Sequence, residues 1–156
     1  MAKGKATILN YTTEVAAEKT ISQIERLLAN HGASAIIKEY GDTKQVKAIE
    51  FDVKTKFGLR TIRLPAKVEA VYRILAGDGW WPEPKKSHFQ AQAQRVAWRI
   101  ILRWVEAQLA LIQTEQSSLD EIFLPYMLTS GGQTMYQALV NNQLQLPSKG
   151  TGGDQL

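Results

Sequence analysis

From Gln45 to Lys54 the chain alternates, with Ile49, Phe51 and Val53 facing one way and Glu50, Asp52 and Lys54 the other. A period of two over such a run is strand geometry with one apolar and one wet face. The apolar face has to be covered, so the rest of the chain must supply neighbouring strands and at least one packed layer. Neighbours are at hand. Ser34–Tyr40 reads as a strand ending in the turn signal Gly41-Asp42, and Lys56–Leu64 returns after a tight connection near Thr55. The segment 6–15 also alternates, with Leu9, Tyr11, Thr13 and Val15 on one side, and is expected to open the sheet.

Two amphipathic segments supply the covering layer. In Thr20–Asn30 the residues Ile21, Ile24, Leu27 and Leu28 form a stripe; Thr20 with Gln23 has capping-box spacing, and Gly32 stands where a helix stops. After Pro65, suited to a first helical turn, Val68, Val71, Tyr72 and Leu75 repeat the pattern up to Gly77. The expected order is strand–helix–strand–strand–strand–helix, an α+β domain over residues 6–77 with helices on one face of an antiparallel sheet. Asp78–Ser87 is a loop by composition, followed by a helical extension over 88–143 whose longest helix runs from His88 to Gln113. The apolar surface of that helix is wide enough to suggest contact with another subunit, hence a homo-oligomer. Ser118 with Glu121 opens a short helix that Pro125 ends, Gly131-Gly132 makes a turn, and Met135, Tyr136, Leu139 and Val140 form a last amphipathic segment. Residues 147–156, with three glycines, read as a disordered tail.

Cysteine is absent and there are two histidines, His31 and His88. Thiolate metal sites, iron–sulfur clusters, disulfides and a cysteine nucleophile are thereby excluded. No run of apolar residues is long enough to span a membrane and no signal peptide is visible, so a cytoplasmic protein without a cofactor is expected. The net charge of +4 is unevenly spread: +7 up to Gln113 and −3 from Thr114 onward. A basic body with an acidic end suits a polyanion partner, although a basic surface also occurs without one.

Lys44, Lys47, Lys54, Lys56, Arg60 and Arg63 fall within twenty residues, interleaved with Tyr40, Phe51 and Phe57. Cations neutralise phosphates and aromatic faces stack unpaired bases. Phe51 shares the apolar face and belongs to the core, which leaves Tyr40 and Phe57 as stacking candidates; the alternative for the lysines is a solvated sheet face. Trp80-Trp81, between Gly79 and Pro82, suits a base or a protein partner, or covers the end of the core. Arg95, Arg99 and Arg103 form a ridge at helical spacing suited to phosphates, or else the wet edge of an apolar helix. A metal-dependent nuclease would need Asp42, Glu50 and Asp52 to hold Mg²⁺ with Lys54 assisting the attacking water. Asp42 lies in a turn, which weakens that pattern.

Several segments carry a likeness: Tyr11-Thr12-Thr13-Glu14-Val15, Thr20-Ile21-Ser22-Gln23-Ile24-Glu25, His31-Gly32-Ala33, Arg63-Leu64-Pro65, Ala97-Trp98-Arg99, Val105-Glu106-Ala107-Gln108-Leu109 and Leu119-Asp120-Glu121-Ile122-Phe123-Leu124-Pro125-Tyr126. On these the chain resembles a family of small, mostly uncharacterised proteins of tailed phages and prophages. The resemblance implies an accessory in DNA replication or recombination and assigns no catalytic motif. The function expected is non-catalytic binding of single-stranded nucleic acid, DNA first, with annealing as a related activity and the acidic tail recruiting a protein partner. A phage inhibitor that binds a host protein is the alternative, and the nuclease the second.

Overall fold

The structure, a computed structural model, describes residues 8–77 and 83–142. It is α+β, with a three-stranded antiparallel sheet ordered β1-β2-β3. Helix α1 (Ala17–Asn30) precedes β1 (Ala35–Tyr40), β2 (Val46–Thr55) and β3 (Gly58–Pro65); α2 (Val68–Ala76) and the 31-residue α3 (Glu83–Gln113) follow. The chain then makes α4 (Leu119–Phe123), a 3₁₀ turn (Leu124–Tyr126) and α5 (Met135–Asn141).

Strand register places Phe51 opposite both Ile36 and Ile62, and Ile49 opposite Leu64. Directly opposed residues share a face, so one side of the sheet is a continuous apolar surface. Onto it pack Ile21, Ile24 and Leu28 of α1 and Trp98, Leu102, Val105 and Leu109 of α3, all buried. Much of the expected wide apolar surface of α3 is therefore covered within one chain, while Ile101, Trp104 and Ile112 stay partly exposed. Phe123 closes the far edge of the core with its ring 5.6 Å from Phe51, edge to face.

Local chemistry explains the element ends. Gly32, at φ +99°, follows the C-cap His31, and the Ala33 N–H donates to the Leu28 carbonyl at 3.0 Å. That is a Schellman stop, which needs the left-handed conformation glycine adopts without strain. Lys56-Phe57 joins β2 to β3 with Gly58 at φ +90°, the left-handed position of a bulged hairpin turn. Both Ser118/Glu121 and Thr134/Gln137 form reciprocal capping boxes, the second not anticipated.

Three expectations fail. Residues 8–15 form turns instead of a leading strand: Asn10 is left-handed at φ +60°, and the Tyr11 and Thr13 N–H groups donate to Ile8 and Asn10 carbonyls. The Tyr11 and Thr13 carbonyls instead accept from Nε2 of Gln92 on α3, at 2.9 and 3.0 Å. Asn10 breaks the extended run because its short polar side chain tolerates that conformation. Thr20 and Gln23 do not cap α1, which begins at Ala17 with no side-chain cap. Three residues apart on one helical face, they both accept from the Arg99 guanidinium, Gln23 at 2.8 Å and Thr20 at 3.5 Å. The long helix also starts earlier than expected, at Glu83, since Pro84 is tolerated in a first turn.

Trp98 is completely buried and its indole N–H donates to the Val46 carbonyl at 3.3 Å. Trp98→Ala is expected to cost about 3–5 kcal/mol of stability. Trp98→Phe, which keeps most of the packing but removes the N–H donor, should cost about 1–3 kcal/mol. Urea unfolding followed by circular dichroism checks both values.

Candidate nucleic-acid interface

The sheet separates the basic residues that the sequence crowds together. Lys47 and Lys54 stand seven positions apart on β2, roughly 23 Å at about 3.3 Å per residue. Lys54, Lys56, Arg60 and Phe57 cluster at the β2–β3 turn, where the Lys56 backbone N–H is held by the Asp120 carboxylate at 3.3 Å. Lys44, Lys47, Arg63 and Tyr40 gather at the opposite end. Tyr40 and Phe57 are 58% and 56% exposed, as stacking residues need to be, while Phe51 is buried as expected.

Several of the candidate cations already have carboxylate partners. Glu39 accepts from Arg63 and from Lys47 (2.9 Å), and Arg63 also reaches Glu50 at 3.4 Å. Lys38 pairs with Glu25 at 2.8 Å, and Arg103 with Glu106 at 2.9 Å. The Arg ridge on α3 is likewise divided. Arg99 is committed to α1, Arg103 to Glu106, and Arg95 lies against the neutral Gln92 Oε1 at 2.6 and 2.9 Å, so its charge is uncompensated.

Three clefts sit at the Tyr40–Lys44 end of the sheet and along α3. The first, about 330 Å³, is lined by Lys38, Tyr40, Lys44 and Arg95 with Trp98 in its wall. The second, about 460 Å³, lies between α2 and α3 and has Lys47, Lys67 and Arg73 on its rim. The third, about 590 Å³, is lined by Arg63, Lys67, Ile101, Trp104, Tyr126 and Tyr136 among others. Gln94 lines both the first and second clefts and Lys67 both the second and third, so the three are neighbours along the molecule. Their walls carry seven basic and two acidic side chains. Among the described residues Lys44, Lys67, Arg73 and Arg95 have no carboxylate within ion-pair distance.

Lys44 holds its place against local preference. It takes φ +60° in the β1–β2 turn, where the Lys44 N–H donates to the Gly41 carbonyl at 3.0 Å. A left-handed side chain of this kind is commoner at functional positions than elsewhere. Lys67, Arg73, Trp104, Tyr126 and Tyr136 were not singled out by sequence. Trp104 and Tyr126 lie within apolar stretches indistinguishable from core, and Lys67 and Arg73 stand outside the basic run.

The residues named for a nuclease are not brought together. Among the described residues no group of three or more His, Asp or Glu is placed to hold a metal. The Glu50 carboxylate faces Arg63, Asp52 accepts from the Thr61 hydroxyl at 2.6 Å, and Asp42 stays in its turn at the other end of the strand. His31 ties two helix ends together, with Nδ1 against the Leu27 carbonyl at 2.8 Å and Nε2 against Gln113 at 3.1 Å. His88 rests beside Phe89. Trp80, Trp81 and the 147–156 tail lie outside the described residues. No helix among the described residues is long and apolar enough to cross a membrane.

Comparison with models of protein families, with curated proteins and with solved structures finds no match to this chain.

The Arg63 and Lys47 contacts hold the Glu39 carboxyl below the usual carboxylate range. A depressed folded-state pKa gives stability that is present above the unfolded value and lost as pH falls through the folded one. Because the group is partly solvated, the gain should be on the order of 1 kcal/mol or less. Glu39→Gln should therefore destabilise the protein at pH 7 by that amount, with the difference from wild type closing below about pH 4. Thermal melts across pH 3–7 check the sign.

Proposed function

We propose that this protein binds single-stranded nucleic acid, DNA above all, without catalysing a reaction on it. The observation that carries the reading is the run of three clefts, neighbours in it sharing a lining residue, that hold four cations with no carboxylate partner among the described residues. A phosphodiester backbone lying along them would release counterions from Lys44, Arg95, Lys67 and Arg73, and Tyr40 would stack a base at the turn. Clefts of 330 to 590 Å³ accept single nucleotides. A duplex is read by an element projecting into a groove of about 12 Å, and here the cations stand around concave surfaces. One copy carries the whole track, so the proposal needs no second subunit. The resemblance to phage proteins supports assigning the binding to DNA replication or recombination, with annealing a secondary consequence of holding single strands extended.

Fluorescence anisotropy with labelled single- and double-stranded oligonucleotides at two salt concentrations tests this. Single strands should bind more tightly than duplex. The double variant Lys67→Ala/Arg73→Ala should lose about tenfold or more in affinity and flatten the salt slope by about 0.7 per cation removed. Removing Lys54, Lys56 and Arg60 at the far turn should matter less. No single-strand binding at low salt would overturn the proposal. A separate outcome concerns Lys44→Gly, which should gain about 0.5–1 kcal/mol of stability by relieving the left-handed turn while binding more weakly.

A further inference from the structure

The third cleft differs from the other two in kind. Its cations, Arg63 and Lys67, stand beside an aromatic and aliphatic lining, and no Asp or Glu contributes to it. Two of its aromatic rings are fixed by the core. Trp104 meets Phe123 edge to face at 5.9 Å and Tyr126 at 5.4 Å, and Phe123 in turn abuts Phe51 in the centre of the sheet. The third, Tyr136, is 64% exposed on α5. No packing among the described residues requires an aromatic residue there.

Helix α5 is nonetheless firmly placed. Its N-cap Thr134 is buried and its Oγ1 accepts from Gln137, and the Met135 N–H donates to the Met127 carbonyl at 2.8 Å. Leu128 donates to the Thr61 carbonyl of β3 at 2.8 Å, which ties the segment before α5 to the sheet. A pre-positioned tyrosine thus borders a rigid aromatic wall, and the space of about 590 Å³ is ample for one planar ring.

We infer that this cleft seats one unpaired nucleobase of the bound strand against Tyr136, Trp104 and Tyr126, with Lys67 taking the adjoining phosphate. Charge decides the occupant. Lys67 is shared with the second cleft and has no carboxylate partner among the described residues, whereas Arg63 is already held by Glu39 and Glu50. A base attached to a phosphate satisfies both the apolar wall and the free ammonium at its edge. An apolar peptide side chain would satisfy only the first. The inference rests on the nucleic-acid reading and adds to it a second base-binding position, in a different cleft from Tyr40.

The test compares a labelled single-stranded oligonucleotide with an abasic strand of the same length and phosphate count, on the full chain and on Tyr136→Ala and Tyr136→Phe. The exposed position of Tyr136 makes both variants safe for folding. The normal strand should bind at least about fivefold more tightly than the abasic one, and Tyr136→Ala should lose about fivefold or more on the normal strand alone. Tyr136→Phe should retain the wild-type preference. Equal affinity for the two strands overturns the base-seating inference and leaves the cationic track standing, as does a preference that Tyr136→Ala fails to reduce. Absence of binding to either strand at low salt overturns the inference together with the reading beneath it.

Discussion

The indole of Trp98 is the contact on which the rest of the molecule depends. It is buried between α3 and the apolar face of the sheet, and its N–H is spent on the carbonyl of Val46, the first residue of β2. A buried donor left unpaired would cost more than the bond itself contributes, so the pairing fixes where along α3 the helix crosses the sheet. That crossing sets Arg95 beside the β1–β2 turn and Ile101 and Trp104 beside the end of β3. The same tryptophan is part of the wall of the first cleft. Core packing and the proposed binding surface are therefore one arrangement.

Electrostatics then sorts the basic residues. Positive charges close in sequence are worth little to a polyanion when carboxylates lie next to them. On the outer sheet face Glu39 and Glu50 sit between Lys47 and Arg63, because the register puts Glu50 opposite Arg63 and Glu39 two strands away on the same face. Lys67 and Arg73 stand apart from that network, at the start and within the last turn of α2, with no carboxylate partner among the described residues. The aromatic cleft gains its character in a similar way. Phe123 and Trp104 pack edge to face into the core, and the residual face of the aromatic cluster opens beside Lys67.

Much of the fold was legible along the chain. The alternation through Ile49, Phe51 and Val53, the turn at Gly41-Asp42 and the stripes of α1 and α2 report local geometry, and local geometry is what periodicity measures. The Ser118/Glu121 cap was legible for the same reason. The Thr20/Gln23 spacing is ambiguous in itself because it serves two ends: it caps a helix start, or it presents two acceptors on one helical face to a donor from elsewhere, here Arg99. Residues 8–15 alternate as a strand does but lack a partner edge, and Asn10 turns the backbone instead. The candidate site was half legible. Tyr40, Lys44 and Arg95 were singled out and do converge on one cleft, while Lys67, Arg73 and Tyr136 carry no local signal of their own.

Alone, the sequence determined that the chain is α+β, that it has no thiolate chemistry, and that its net positive charge lies before Thr114. Those properties follow from residue type and short-range spacing. Tertiary structure decided which cations remain uncompensated and which aromatic rings share a cleft. Both depend on strand register, on the length of the sheet that holds Lys47 and Lys54 apart, and on where α3 and α5 come to rest. These are contacts between residues far apart in the chain, and no spacing within it encodes them.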